Sequence, residues 1–271
     1  MKPAPFDYLR AGDLNEATTA LAEVGEDARV LAGGQSLVAM LNMRLARPQL
    51  IVDIMAVSDG PALRVEGDML VVPAHITQAE LILRTDLTAQ VPLLACGLPW
   101  VGHWQTRTKG TVCGSIAHAD PSAELPLILA TLDGVVMLRS KTGRREVPAP
   151  EFFHGMMLTD CAPDELIEAV CFPLSPRGAF HEVGRRKGDF AIVACAALRQ
   201  GERTRLAIGG VDDVPAIQDW DNLDDGQLDD ALNEFAWSLD ARDDLHASAR
   251  YRRELVRRLG RKTIEEAWAC G

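Results

Sequence analysis

Two stretches of this sequence set glycines beside hydroxyl and carboxylate side chains. They are Ala32-Gly33-Gly34-Gln35-Ser36 and the longer run Gly110 to Pro126, GTVCGSIAHADPSAELP. Two successive glycines permit positive φ and let a diphosphate come close to the main chain. Ser36 stands where a helix begins, so unpaired N–H groups there would point at whatever fills the turn. In the second stretch Gly110 and Gly114 make another tight, amide-rich loop, and Thr111 and Ser115 add hydroxyls for phosphate or ribityl oxygens. Asp120 and Glu124 follow across a turn broken by Pro121, where carboxylates suit the hydroxyls of a ribose or ribityl chain. Each piece has a plainer reading. A Gly-Gly pair before a capped helix is most often only a turn, and either acid alone is more simply a cap or a solvated charge. Two such loops together could grip one pyrophosphate from both sides. Neither GxGxxG nor the Lys-Ser/Thr of a P-loop occurs at these positions.

Other chemistry is absent by composition. The six cysteines, Cys96, Cys113, Cys161, Cys171, Cys195 and Cys270, form no CxxC pair and no zinc or iron–sulfur spacing. They read as buried or incidental reduced thiols, so no metal site is expected. The six histidines are scattered. No residue reads as a nucleophile or general base, so no catalytic side chain is assigned. A net charge of −11 argues against nucleic-acid binding, yet aimed amides can still hold an anionic cofactor. The basic run Arg250 to Lys262 is a solvated helix face or, alternatively, a surface for an acidic partner. No apolar stretch reaches the roughly 18 residues a membrane span needs, and the N-terminus lacks the core of a secretion signal. The expected location is cytoplasmic, with no membrane span.

The positioning elements fall into three segments: 1–56, 57–173 and 174–271. In the first, apolar spacing predicts a helix over Leu14 to Val24. Strands at Arg29 to Ala32 and Leu50 to Ile54 flank a helix from Leu37 to about Leu45, capped by Ser36. The second has strands near Leu63 to Val65, Met69 to Val72, Val135 to Leu138, Arg144 to Val147 and Glu165 to Phe172. A helix lies near Thr77 to Leu83, and residues 97–122 read as loop. The third begins with strand-like Phe180 to Val183 and Ala191 to Leu198. An acidic connection over Asp219 to Asp230 follows, then a long helix from about Leu245 to Ala269. The fold class is α+β: a small α/β N-terminal lobe, a mixed or antiparallel middle lobe, and a C-terminal α+β domain of strands and helices.

The pairing of AGGQSL with TVCGSIAHADPSAELP resembles the FAD-binding medium subunit of the molybdenum hydroxylases, the group of xanthine dehydrogenase and carbon monoxide dehydrogenase. The likeness runs from Pro5-Phe6-Asp7-Tyr8 through Arg47 to Ile54 and Arg185 to Ala191, reaching Tyr251-Arg252-Arg253. It implies a two-lobed FAD-binding cradle of the PCMH/VAO type. By this resemblance Ala32, Gly33, Gly34, Gln35, Ser36 and Leu37, with Thr111, Val112, Cys113, Gly114 and Ser115, hold the FAD diphosphate. Glu124 contacts the hydroxyl-bearing chain, and Asp120 shares its motif. Ile167 lies near the adenine. Val101, Gly102, His118, His181 and Phe190 lie near the flavin ring. The family usually has two glycines where this chain has Cys113-Gly114, which either narrows the phosphate loop or turns the thiol away.

The resemblance further implies an oxidoreductase subunit that passes electrons from an iron–sulfur small subunit to a soluble acceptor. Molybdopterin would sit on a large subunit and the [2Fe-2S] clusters on the small one, in a heterotrimer. The alternative is a stand-alone FAD-dependent oxidase or reductase of similar two-lobe fold. A scaffold that has lost its cofactor is a third reading.

Overall fold

Leu14, Ala17 and Leu21 recur at helical spacing, and they form the buried face of the helix α1 (Leu14–Val24). Asp13 caps it by accepting the Glu16 amide at 2.7 Å, and Gly25, at φ 63°, ends it. In this computed structural model, which describes residues 2–175 and 177–269, α1 follows β1 (Asp7–Arg10). After it come β2 (Ala28–Leu31), α2 (Leu37–Met43) and β3 (Leu50–Asp53). The three strands pair in parallel in the order β1-β3-β2, as two helical crossovers require. Ser36 departs from expectation. Its backbone is helical and its side chain caps nothing.

The middle of the chain opens with β4 (Arg64–Glu66) and β5 (Met69–Pro73). Short helices follow: α3 (Gln78–Ile82), α4 (Leu87–Gln90), α5 (Pro92–Gly97), α6 (Trp104–Arg107), α7 (Val112–His118) and α8 (Glu124–Thr131). The stretch 97–122, read from sequence as loop, therefore carries helical turns. They are too short for a 3.6-residue period to show. α8 is buried at every position, so it presents no polar face and no amphipathic signal. Then come β6 (Val135–Ser140), β7 (Gly143–Pro148), α9 (Ala149–Phe152), β8 (Phe153–Gly155), β9 (Leu158–Thr159) and β10 (Leu166–Pro173). An antiparallel sheet in the order β4-β5-β10-β6-β7 results. β10, buried from Leu166 to Phe172, is its centre. One apolar cluster joins α1, this sheet and α8.

The C-terminal unit is a four-stranded antiparallel meander in chain order: β11 (Gly178–Gly184), β12 (Ala191–Gln200), β13 (Arg203–Gly209) and β14 (Ala216–Asp221). α10 (Asp225–Ser238) and α11 (Ala249–Ala269) pack on it around a second apolar cluster. β12 is buried on both faces. Ala194 and Ala196 belong to the first cluster, Cys195 and Ala197 to the second. The acidic run Asp219 to Asp230 is thus not a connection. It is the end of β14 and the start of α10, whose capping box is Asp224 with Gln227. Of the cysteines, Cys113, Cys171 and Cys195 are buried, while Cys270 lies outside the described residues. No helix among the described residues is long and apolar enough to cross a membrane.

Much of the basic charge of α11 is spent within the chain. Arg261 reaches Asp225 at 2.8 Å, Asp229 at 2.9 Å and Glu265 at 2.8 Å. The Arg253 guanidinium lies 4.7 Å from the Trp237 ring centroid. Arg252 is buried and donates to the Arg242 carbonyl at 2.7 Å, the Ala247 carbonyl at 3.0 Å and Asp244 Oδ2 at 2.7 Å. It therefore ties the connection between α10 and α11 to the helix. Replacing Arg252 with Met keeps the stem but strands these acceptors, and should cost about 2–3 kcal/mol. A urea unfolding midpoint unchanged from wild type would refute that role.

Candidate cofactor-binding site

The two glycine-bearing turns meet. Gly34 leaves β2 at φ 72°, a conformation that Cβ-bearing residues rarely take. Gly34 and Ser36 then accept the first helical amides of α2, from Val38 and Met40, each at 3.1 Å. Because Ser36 supplies no cap, the amides ahead of Val38 keep no side-chain partner from it. The second turn is pinned from behind. Thr77 and Thr111 form an isolated β-bridge. The Gln78 amide donates to the Gly110 carbonyl at 2.9 Å, and the Val112 amide to the Ile76 carbonyl at 3.1 Å. Thr111 caps α7 by accepting the Gly114 amide at 3.0 Å, which leaves its own hydroxyl proton to donate.

Only glycine allows this approach. A Cβ at Gly33 would stand 1.9 Å from the Lys109 carbonyl oxygen and 2.8 Å from Gly110 Cα. A Cβ at Gly114 would stand 2.7 Å from Thr111 Oγ1. The cysteine beside Gly114 does not obstruct the turn. Cys113 is buried and its Sγ donates to the Val72 carbonyl at 3.4 Å, so the thiol points into the core. Burial pushes that thiol far above its usual range, which makes it an inert packing group.

Both turns open onto one cavity of about 550 Å³. Its wall includes Ala32, Gly33, Gly34, Gln35, Ser36 and Leu37 from the first turn, and Thr111, Cys113, Gly114, Ser115 and His118 from the second. Asp120 and Glu124 lie on it too, as do Val101 and Gly102, Ile167 at the start of β10, and Phe190. Phe190, at 66% exposure, stands at the rim. Its loop turns at Gly188, φ 88°, where a Cβ would lie 2.4 Å from the His103 ring. Two residues fall elsewhere. Val112 is fully buried in the core behind the turn. His181 is on β11 with its Nε2 at 2.7 Å from Glu266 Oε2 of α11.

Strand alternation explains the second of these. On β11, Ala179 packs in the C-terminal cluster and Phe180 in the cluster beside the cavity. His181 therefore shares the face of Ala179, and Glu182 the face of Phe180. Strand alternation thus turns the His181 side chain toward α11 rather than toward the cavity. Sequence reasoning also missed Gln78, Arg29, Thr106, Leu166 and Asp189 on the wall. The clearest available signal was at Gln78, a polar residue just inside the capping box of α3.

Two carboxyls are strained by burial. Glu124, in the first turn of α8, is 5% exposed. Desolvation pushes it up to about 7; Asp120 adds repulsion, while its own amide and Arg107 pull the other way. Glu182 is pushed up to about 8, by burial first and by Glu124 second. Its Oε2 has no donor among the described residues. Both folded-state values lie above the ordinary 4.5. The folded chain therefore holds protons that the unfolded chain releases, and stability falls as pH rises from about 4.5 towards 8. Asp120, by contrast, is engaged in an Asx turn with the Ser122 amide at 2.8 Å.

The arrangement suits a nucleotide carrying a diphosphate. Phosphate oxygens only accept, and the glycine turns offer main-chain donors on both sides. The hydroxyls of such a ligand can donate; the Gln78 oxygen on the wall has no donor among the described residues, and the Glu124 carboxyl lines the same wall. Substituting Gly33 with Ala should drive the turns apart and weaken ADP binding by tenfold or more, roughly the worth of one charge-assisted hydrogen bond or above; unaltered ADP affinity in a calorimetric titration would count against the cradle. Glu182→Gln should raise the melting temperature of the cofactor-free chain by a few degrees at pH 8 and leave it unchanged near pH 4.5. A shift of equal size at both pH values would show that ionisation is not the cause.

The comparisons agree with this geometry. Residues 4–175 match the family model described as the FAD binding domain in molybdopterin dehydrogenase, and residues 178–267 match the CO dehydrogenase flavoprotein C-terminal domain. The chain is 35% identical to the 6-hydroxypseudooxynicotine dehydrogenase complex subunit alpha of Paenarthrobacter nicotinovorans, over 98% of this chain and 96% of that one. It is 33% identical to the nicotine 6-hydroxylase medium subunit of the same organism, over 99% of both. Among solved structures, quinoline 2-oxidoreductase from Pseudomonas putida 86 superposes with a TM-score of 0.91 at 33% identity, covering 98% of each chain. Reconstituted CO dehydrogenase from Oligotropha carboxidovorans gives 0.93 at 30% identity over 100% of each. The motifs AGGQSL and TVCGSIAHADPSAELP thus resemble a family whose signature spans nearly the whole sequence, and the chain belongs to it: this is an FAD-binding medium subunit of the molybdopterin-dependent dehydrogenases, an oxidoreductase family.

Proposed function

We propose that this chain holds FAD in the cavity between the two turns and relays electrons from iron–sulfur clusters on a small partner subunit to a soluble external acceptor, in the cytoplasm. Oxidation of the organic substrate would take place at a molybdopterin on a large partner subunit. The observation that carries the reading is the close approach of Gly33 to the Lys109–Gly110 backbone, which brings main-chain donors from two separate turns to one space. Bound FAD supplies both one- and two-electron chemistry, the property needed to join one-electron carriers to a two-electron acceptor.

The chain's own residues would divide the work of holding it. Amides of residues 33–37 and the Cys113 amide would face the diphosphate, with the Thr111 and Ser115 hydroxyls beside them. Glu124 would accept from a hydroxyl of the sugar chain, an exchange that offsets the cost of burying it. Ile167, with Leu166, would line the adenine end. Val101, Gly102 and Phe190 would border the ring, and the exposed rim at Phe190 would leave that end open to a partner or acceptor.

An affinity tag on the full chain in its native cell tests the division of labour. Two further polypeptides should co-purify, with iron and molybdenum in the eluate. Acid precipitation should release all the yellow colour into the supernatant. Substrate turnover by the isolated chain with a dye acceptor, or colour retained on the acid pellet, would instead favour a stand-alone flavin oxidase or reductase.

A further inference from the structure

Gln78 is buried, at 4% exposure, and lies on the cavity wall. It is the first residue of α3, fixed by the capping box of Thr77 and Glu80. Its main-chain amide is bonded to the Gly110 carbonyl, so the side chain has little freedom to leave. Nε2 donates to the Thr111 carbonyl at 3.4 Å. Oε1 receives no donor among the described residues. Turning the amide over would set its oxygen against that same carbonyl, so the unpaired group is the oxygen in the better orientation. A buried acceptor of this kind calls for a donor from outside the chain.

A diphosphate cannot be that donor, because its oxygens only accept. The donor must be a hydroxyl next to it. The flanking contacts say on which side. A Cβ at Gly110 would lie 3.4 Å from both Gln78 amide atoms and 3.0 Å from the Thr106 carbonyl, and a Cβ at Gly102 would lie 3.3 Å from the Thr106 side chain. Gln78 thus stands beside Gly110 and Thr106, on the side of the turn that carries Gly102.

We infer that Gln78 Oε1 accepts a hydrogen bond from a ribityl hydroxyl of the flavin, and that Gln78 is a positioning residue that sets where the chain leaves the diphosphate. This rests on the reading above, in which FAD occupies the cavity with its ring towards Val101–Gly102. Gln78 lies outside the sequence motifs, and would act beside Glu124, the motif residue placed toward the hydroxyl-bearing chain.

Titration of the flavin-stripped full chain with FAD and with ADP, followed by fluorescence and calorimetry, tests it. Gln78→Met keeps the size and removes the acceptor. It should weaken FAD by about five- to tenfold and leave ADP, which has no ribityl chain, unchanged. Wild-type chain should show a similar loss for an FAD analogue lacking one of the ribityl 2′-, 3′- or 4′-hydroxyls, and Gln78→Met should show no further loss for that analogue. Equal FAD affinity in Gln78→Met and wild type overturns the inference, as does an equal loss of FAD and ADP, which would mark a merely structural role. Should the variant not fold, the wild type decides alone: indifference to all three deoxy analogues overturns it. Failure of the wild type to bind either FAD or ADP would instead bring down the cavity reading itself, and this inference with it.

Discussion

Main chain against main chain at Gly33 and Lys109–Gly110 is the constraint on which the rest of the molecule turns. The two turns are far apart in sequence and are held by unrelated scaffolds. The first is the end of a strand in a parallel sheet. The second is pinned to residues 76–78 by backbone bonds and anchored inward by Cys113 on β5. At Gly33 the nearest atoms across the contact are backbone atoms of Lys109 and Gly110. That matters in a chain of net charge −11. The field that receives an anion must be local, and oriented amides provide one that does not depend on net charge. Arg29, the one arginine on the wall, already donates to the Glu26 and Ala28 carbonyls, each at 2.7 Å.

The cost of the design is visible in its carboxyls. Glu124 and Glu182 are held where water is scarce, Glu124 also repelled by Asp120 and Glu182 by Glu124. A fold optimised for stability alone would bury apolar groups there. Buried acceptors without donors are a common mark of a site whose partner comes from outside the chain. Binding to the folded state then returns stability in proportion to ligand concentration.

Much of this was legible beforehand, for identifiable reasons. α1 was placed to the residue because its amphipathic spacing and its flanking Asp13 and Gly25 all agree. The glycine turns were visible because nothing else suits a positive φ or a contact under 2 Å. What was missed was hidden by burial or register. α8 has no polar face to betray it, α7 is seven residues long, and β13, β14 and α10 carry charge in a pattern that reads as solvated loop. His181 was assigned to the ring by motif position, yet a strand sends neighbours to opposite faces. The site's own wall includes Gln78, whose significance appears only when its unpaired oxygen is seen.

The C-terminal unit has a part in the cavity that its sequence conceals. Its last helix reads as a basic face, but Arg252, Arg253 and Arg261 tie α10, α11 and their connection together. That internal bracing holds the meander, and the meander carries β11 and the loop after it. Phe180 packs into the apolar cluster beside the cavity, and Gly188 to Phe190 form part of the cavity wall. In the proposed reading, the C-terminal unit sets the shape of the ring end, while the main-chain turns set the diphosphate end. The two ends are built by different physics, packing and ion pairs in one case and glycine backbone in the other. A substitution far out on α11 can thus disturb the ring end while leaving diphosphate capture intact.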